Sequence, residues 1–188
     1  MSQSHTRSLY TSRRAVLGSL GVIAALPLLD LRAQEASPTA AGSIAVIDLA
    51  PGVTAEVFSG VPSVRAPGQT LYTARFVFQP GNEIFPHSHP GTTSLGVASG
   101  TFGWTLHAGT AHVVRGAASG QATGTEDVTE TGTEVLLEPG DAIYYEEDVV
   151  HTARGASGEP AVVYGSLLLE SGQPLLMPVD MEMGTPAS

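Results

Sequence analysis

What limits this chain most is how often its apolar segments are interrupted. It has 22 Gly and 13 Pro in 188 residues. Beyond residue 42 the apolar stretches are short, end at turn residues, and show no helical period of useful length. Segments 44–47, 53–58, 71–78, 93–98, 101–107, 135–137, 142–145 and 161–169 read as strands. Phe102, Trp104 and Leu106 recur at period two, the mark of a strand with one buried face. Many short strands at this spacing predict an all-β sandwich or barrel. The length suits one domain, which we expect over residues 43–175. Residues 116–125, rich in Gly and Thr, read as a mobile loop, and residues 176–188 as a tail across the surface.

The first 33 residues read differently. Arg13 and Arg14 precede an apolar run from Ala15 to Leu29, which Pro27 breaks. A membrane-spanning helix needs about 20 apolar residues, so this run is short for one. A basic start, an apolar middle and a small-residue exit near Ala33 describe a secretory signal. The paired arginines are similar to a twin-arginine export signal, and an uncleaved anchor is the alternative. Residues 34–42 read as a linker. The expected location is therefore periplasmic or extracellular, with no stable membrane insertion after cleavage.

Charge supports that division. All eight basic residues are Arg, and four of them (Arg7, Arg13, Arg14, Arg32) lie in the signal. The rest of the chain carries four Arg against 17 acids, a formal charge of −13. Nucleic acid needs a basic footprint, and none is visible. There is no Cys, which excludes disulfides and thiol nucleophiles but says nothing of compartment.

Chemistry concentrates in three of the six histidines. His87 and His89 form His-x-His, and on a strand residues i and i+2 share a face. His151 follows 62 residues later, after Pro139-Gly140-Asp141, and a barrel can bring the two segments together. Three neutral imidazoles on one side of an ion leave its other side open. By spacing alone, hydrogen-bonded or surface histidines are the competing reading.

The surrounding residues add to this. Gly81-x5-His87-x-His89-x3-Thr93-x6-Gly100 resembles the first cupin motif, and Gly140-x5-Glu146-x-Asp148-x2-His151-x3-Gly155 resembles the second. The Pro-Gly pairs at 80–81 and 139–140 sit where that family turns. The resemblance covers residues 70–165. It implies a double-stranded β-helix, the jelly-roll barrel, with His87, His89 and His151 as ligands of one divalent transition metal (Fe, Mn, Ni, Cu or Zn). By analogy it also implies a homodimer. The family usually has Glu where this chain has Thr93, and Pro, Gly and Asn where it has Glu146, Asp148 and Gly155. Without the carboxylate a divalent ion keeps a local charge of +2, which favours an anionic or chelating ligand. The pattern is similar to three-histidine cupin dioxygenases acting on small organic molecules. The alternative is a cupin that binds metal or a small ligand without turnover.

Other candidates read more plainly. Glu83 shares the parity of His87 but follows a Gly-Asn turn, so a rim position is expected. His107 and His112 are separated by four residues without a helix to align them, and His107 is expected to face solvent. Trp104 reads as core. One of Tyr144 and Tyr145 must point inward, where a phenol can hydrogen-bond a bound molecule or fill the barrel. Glu146, Glu147 and Asp148 read as a solvated turn rather than a carboxylate orienting His151. No hydrolase triad, phosphate loop or dinucleotide fingerprint is present.

Overall fold

A computed structural model describes residues 45–116 and 121–181. The expected signal and linker lie outside them. The described residues form thirteen strands and no helix. These are β1 (Ala45–Ala50), β2 (Val53–Pro62), β3 (Gln69–Phe78), β4 (Glu83–Ser88), β5 (Gly91–Ser99), β6 (Phe102–Ala108) and β7 (Ala111–Gly116). The remainder are β8 (Ala122–Val128), β9 (Glu134–Leu137), β10 (Ala142–Tyr145), β11 (Val150–Gly155), β12 (Ala161–Glu170) and β13 (Met177–Pro178).

Pairing defines the architecture. β3 pairs with β12, β4 with β11, β5 with β10 and β6 with β9, all antiparallel. That is one long hairpin nested on itself. The hairpin is wound so that its strands fall alternately into two sheets, ordered β3-β12-β5-β10 and β4-β11-β6-β9. This is the jelly-roll order, and it makes the fold the all-β barrel that the cupin resemblance implies. Additions lie outside the eight strands: β1 and β2 beyond β3, β7 and β8 beyond β10, and β13 on β4.

Local sequence explains the winding. In the turn Gln79-Pro80-Gly81-Asn82 the Asn82 N–H donates to the Gln79 carbonyl at 3.0 Å, with Gly81 at φ 71°. In Glu138-Pro139-Gly140-Asp141 the Asp141 N–H donates to the Glu138 carbonyl at 2.9 Å, with Gly140 at φ 98°. Proline presets φ at the second position and glycine alone accepts positive φ at the third without strain. Each turn launches a strand that carries or faces the histidines. Along β12, Ala161, Val163, Leu167 and Leu169 are buried while Tyr164 and Ser166 between them are exposed. Residues of both sheets, including Phe76, Trp104, Leu137 and Leu167, close into one core.

One expectation needs correction. Of the supposed loop at 116–125, Gly116 ends β7 and Ala122 begins β8, which pairs along β7. β8 is exposed at every position but Val128. An edge strand with both faces in water needs no apolar alternation, so its Thr residues fit a strand while leaving no buried pattern in the sequence. Beyond residue 175 the pairing continues, with Met177 opposite Ser88 and Pro178 opposite His87.

Asp141 pins the β10 turn to the β7 end. Its carboxylate accepts from the Gly116 N–H (2.9 Å), the Glu138 N–H (3.1 Å) and Arg115 Nη1 (2.8 Å). Burial alone would raise its pKa, but these donors together hold it below the ordinary carboxylate value. A depressed pKa stabilises the folded state above the unfolded carboxylate pKa and is lost as pH falls through the folded one. We expect Asp141→Asn to lower stability by about 2 kcal/mol at neutral pH. In urea unfolding the difference from the parent should close below about pH 4.

Candidate metal centre

Register brings two of the three histidines together. His151 on β11 stands directly opposite His87 on β4. His89 lies two residues further along, just past the end of β4. All three are at most 5% exposed. The rings of His87 and His151 have centroids 4.2 Å apart, His87 and His89 5.1 Å, and His89 and His151 5.4 Å. One nitrogen from each lies within 4.8 Å of the others. No other such group of three occurs among the described residues.

Hydrogen bonds orient two of the rings. His87 Nδ1 meets the Phe85 carbonyl at 2.8 Å, and His89 Nδ1 meets the Leu175 carbonyl at 2.6 Å. A carbonyl only accepts, so each Nδ1 carries the proton and each Nε2 keeps its lone pair. This is the arrangement that holds metal-binding imidazoles in their tautomer. His151 differs. Its Nε2 is 3.2 Å from the Tyr145 hydroxyl, and its Nδ1 is buried with no partner. Trp104 packs face-on against the same ring, centroids 5.0 Å apart and planes 23° apart.

The electrostatics keep the three rings neutral. Burial lowers the pKa of His87, with partial relief from the Phe85 carbonyl. Burial and the neighbouring His87 lower that of His89 to about 3, against the pull of the Leu175 carbonyl. Burial, then His87 and His89, press His151 well below its ordinary value. Neutral imidazoles are the ligand form. An orphaned buried nitrogen and two oriented lone pairs with no carboxylate beside them fit a soft-to-borderline divalent ion.

The surroundings are apolar. A cavity of about 30 Å³ adjoins the histidines, lined by Leu49, Phe76, Phe102, Val163 and Leu176 among others, with no charged side chain in its wall. That is room for about two water-sized bodies. The four described arginines all lie elsewhere: three pair with surface acids, and Arg65 is exposed in the β2–β3 connection. Thr93 points inward from β5, fully buried, opposite Tyr145 of β10, and its Oγ1 has no partner. The inward tyrosine is Tyr145, 1% exposed, whereas Tyr144 is exposed and stacks on His112 at 4.6 Å. Burial pushes the Tyr145 phenol well above its ordinary pKa.

The remaining candidates stand away from the cluster. Glu83 is exposed and pairs in register with Arg154. His107 Nε2 lies 3.3 Å from Thr152 Oγ1, while His112 Nδ1 contacts Asp127 at 2.6 Å, so the two do not converge. Glu146 accepts from Thr92 at 2.6 Å, outside the histidine cluster. Sequence reasoning missed the Leu175 carbonyl altogether, and no signal could have found it, because any residue offers a carbonyl. It read Trp104 as core, which it is, without its stacking on His151.

No family model matches the chain, and no curated protein matches it. Solved structures resemble it. KdgF from Halomonas shares 18% identity over 65% of this chain and 84% of that one, with a TM-score of 0.43. An RmlC-like cupin from Shewanella frigidimarina shares 14% over 69% and 87%, at 0.45. A variant of Bacillus subtilis oxalate decarboxylase shares 15% over 72% of this chain at 0.48, and the chain spans 30% of its length. Likeness at this level is too low to carry an argument. The fold assignment rests on the strand order: a jelly-roll barrel with three buried imidazoles that can close on one ion.

Depressed histidine pKa values mean that the unfolded chain takes up protons which the folded chain refuses. Stability is therefore complete above about pH 6.5, the unfolded histidine value. It falls as pH drops from there toward about 3. We expect thermal melts of the protein in chelator to show a steep acid loss over that range. His89→Gln, which cannot titrate, should show a shallower one.

Proposed function

We propose that this is an exported metal-binding barrel, with His87, His89 and His151 holding one divalent transition metal, and that it acts as a metal-dependent oxygenase on a small anionic or chelating molecule. The observation that carries the reading is the pairing of His87 and His89 Nδ1 with backbone carbonyls. It leaves both Nε2 lone pairs free, on rings that each bring a nitrogen within 4.8 Å of one of His151. When bound, such an ion would supply Lewis-acid chemistry next to the cavity. The protein's own part is to fix the ligands, hold them neutral and exclude bulk water. With no arginine in the wall, an anion's countercharge is the ion itself.

A second reading has one observation in its favour. The cavity is small, and its wall offers no acid or base beyond the histidines and Tyr145. A site that holds metal with water or a very small ligand, without turnover, fits that wall. Oxygen uptake by the iron-loaded protein with small hydroxy-acids or diketones separates the two, since the binding reading expects none.

Metal analysis tests both. His151→Ala should lose more than about 100-fold in metal affinity, because only the His-x-His pair remains. Thr93→Glu should tighten metal retention and weaken anion binding, since the carboxylate fills an open position and lowers the local charge by one. A His151→Ala protein that keeps a full equivalent as tightly as the parent removes the proposed centre. Export is tested separately: replacing Arg13 and Arg14 with Lys should strand the precursor in the cytoplasm, and normal export of that variant removes the twin-arginine reading.

A further inference from the structure

Tyr145 has one hydrogen-bond partner among the described residues, His151 Nε2 at 3.2 Å. Tyr145 cannot be the donor in that hydrogen bond once a metal sits on His151. A neutral imidazole has one lone pair and one N–H. If Nε2 takes the ion, its lone pair is no longer there for the phenol. If Nδ1 takes the ion, Nε2 carries the proton and donates to the Tyr145 oxygen. In either case the Tyr145 O–H must turn elsewhere.

Among the barrel's own groups it has nowhere to turn, and the space left to it is the cavity, with room for about two water-sized bodies. Tyr145 is 1% exposed, so bulk water does not reach it. Trp104, 5.6 Å away by ring centroids, has an indole N–H that only donates. Thr93 lies across the strand pair, but its Oγ1 is without any partner and so out of bonding distance. Apart from the histidines and Tyr145, the cavity wall is aliphatic and aromatic. A buried hydroxyl without an acceptor is costly enough that native proteins avoid it.

We propose that Tyr145 is the residue that selects the cavity's occupant: once the three histidines hold an ion, its O–H donates to a small acceptor-bearing ligand seated against them. The inference rests on the metal reading above and adds the ligand's chemistry to it. The occupant must be compact, because the cavity measures about 30 Å³. It must also carry a lone pair beside the atom that meets the ion. Small linear or planar anions and short carboxylates satisfy both conditions. An apolar molecule of the same size satisfies the first only.

The test uses cobalt(II) as the metal and azide as the ligand, read by the visible absorption of the cobalt. Tyr145→Phe keeps the ring against Trp104 and His151 and removes only the hydroxyl. It should bind cobalt at least as tightly as the parent, since the competing hydrogen bond to His151 is gone, and should bind azide about tenfold more weakly. Unchanged azide affinity overturns the proposal, as does loss of cobalt from Tyr145→Phe, which would make Tyr145 a ligand instead. A parent that takes up no cobalt overturns the metal reading and this inference with it. A measurement on the parent alone guards against a variant that fails to fold. The infrared stretch of bound azide should shift between H₂O and D₂O, because the donor is an exchangeable O–H, and a band insensitive to exchange refutes the donor role.

Discussion

The site depends on one register. His151 stands opposite His87 because β11 pairs with β4 as the second rung of the nested hairpin. A slip of one residue would turn every side chain of β11 to the other face. It would turn His151 away from His87 and put Val150 or Thr152 in its place. The register is held on the other side too, where His151 pairs with Leu106 and Ala153 with Trp104 on β6. Leu106 and Trp104 are both fully buried. The packing that drives the barrel closed is therefore the same packing that aligns the histidines, and neither can be changed without the other.

Burial then sets the chemistry. Three bases enclosed by aliphatic and aromatic walls cannot all be protonated, since each positive charge would lie beside another in a medium that screens it poorly. The Phe85 and Leu175 carbonyls limit the choice further by claiming one nitrogen of each of two rings. The indole of Trp104 holds the third ring by its face. Glu56, Glu126 and Glu134 pair with Arg75, Arg115 and Arg154 away from the histidines, and no acid lines the cavity, so no carboxylate there lowers the charge of an ion held inside.

Much of this was legible in the sequence. The two Pro-Gly pairs announced the turns, the alternation at Phe102, Trp104 and Leu106 announced a half-buried strand, and the parity of His87 and His89 announced a shared direction. What the sequence hid was whatever depends on backbone or on partners distant along the chain. The first part of β8, to Thr125, reads as loop because a strand with two wet faces leaves no apolar period. The direction of Tyr145 rather than Tyr144 depends on which face of β10 meets the core, and two adjacent tyrosines give no clue to that. The hold on His89 comes from a carbonyl 86 residues away.

That last contact has a consequence for synthesis. β12 fits between β3 and β5, and Leu175 reaches His89 only after β12 is laid down. A nascent chain that has already released His87, His89 and His151 from the ribosome still lacks the strand in the middle of its larger sheet and the brace on its second histidine. The barrel is completed only once β12 and the segment to Leu175 are in place, so products truncated before them would carry all three histidines and yet not the architecture that aligns them.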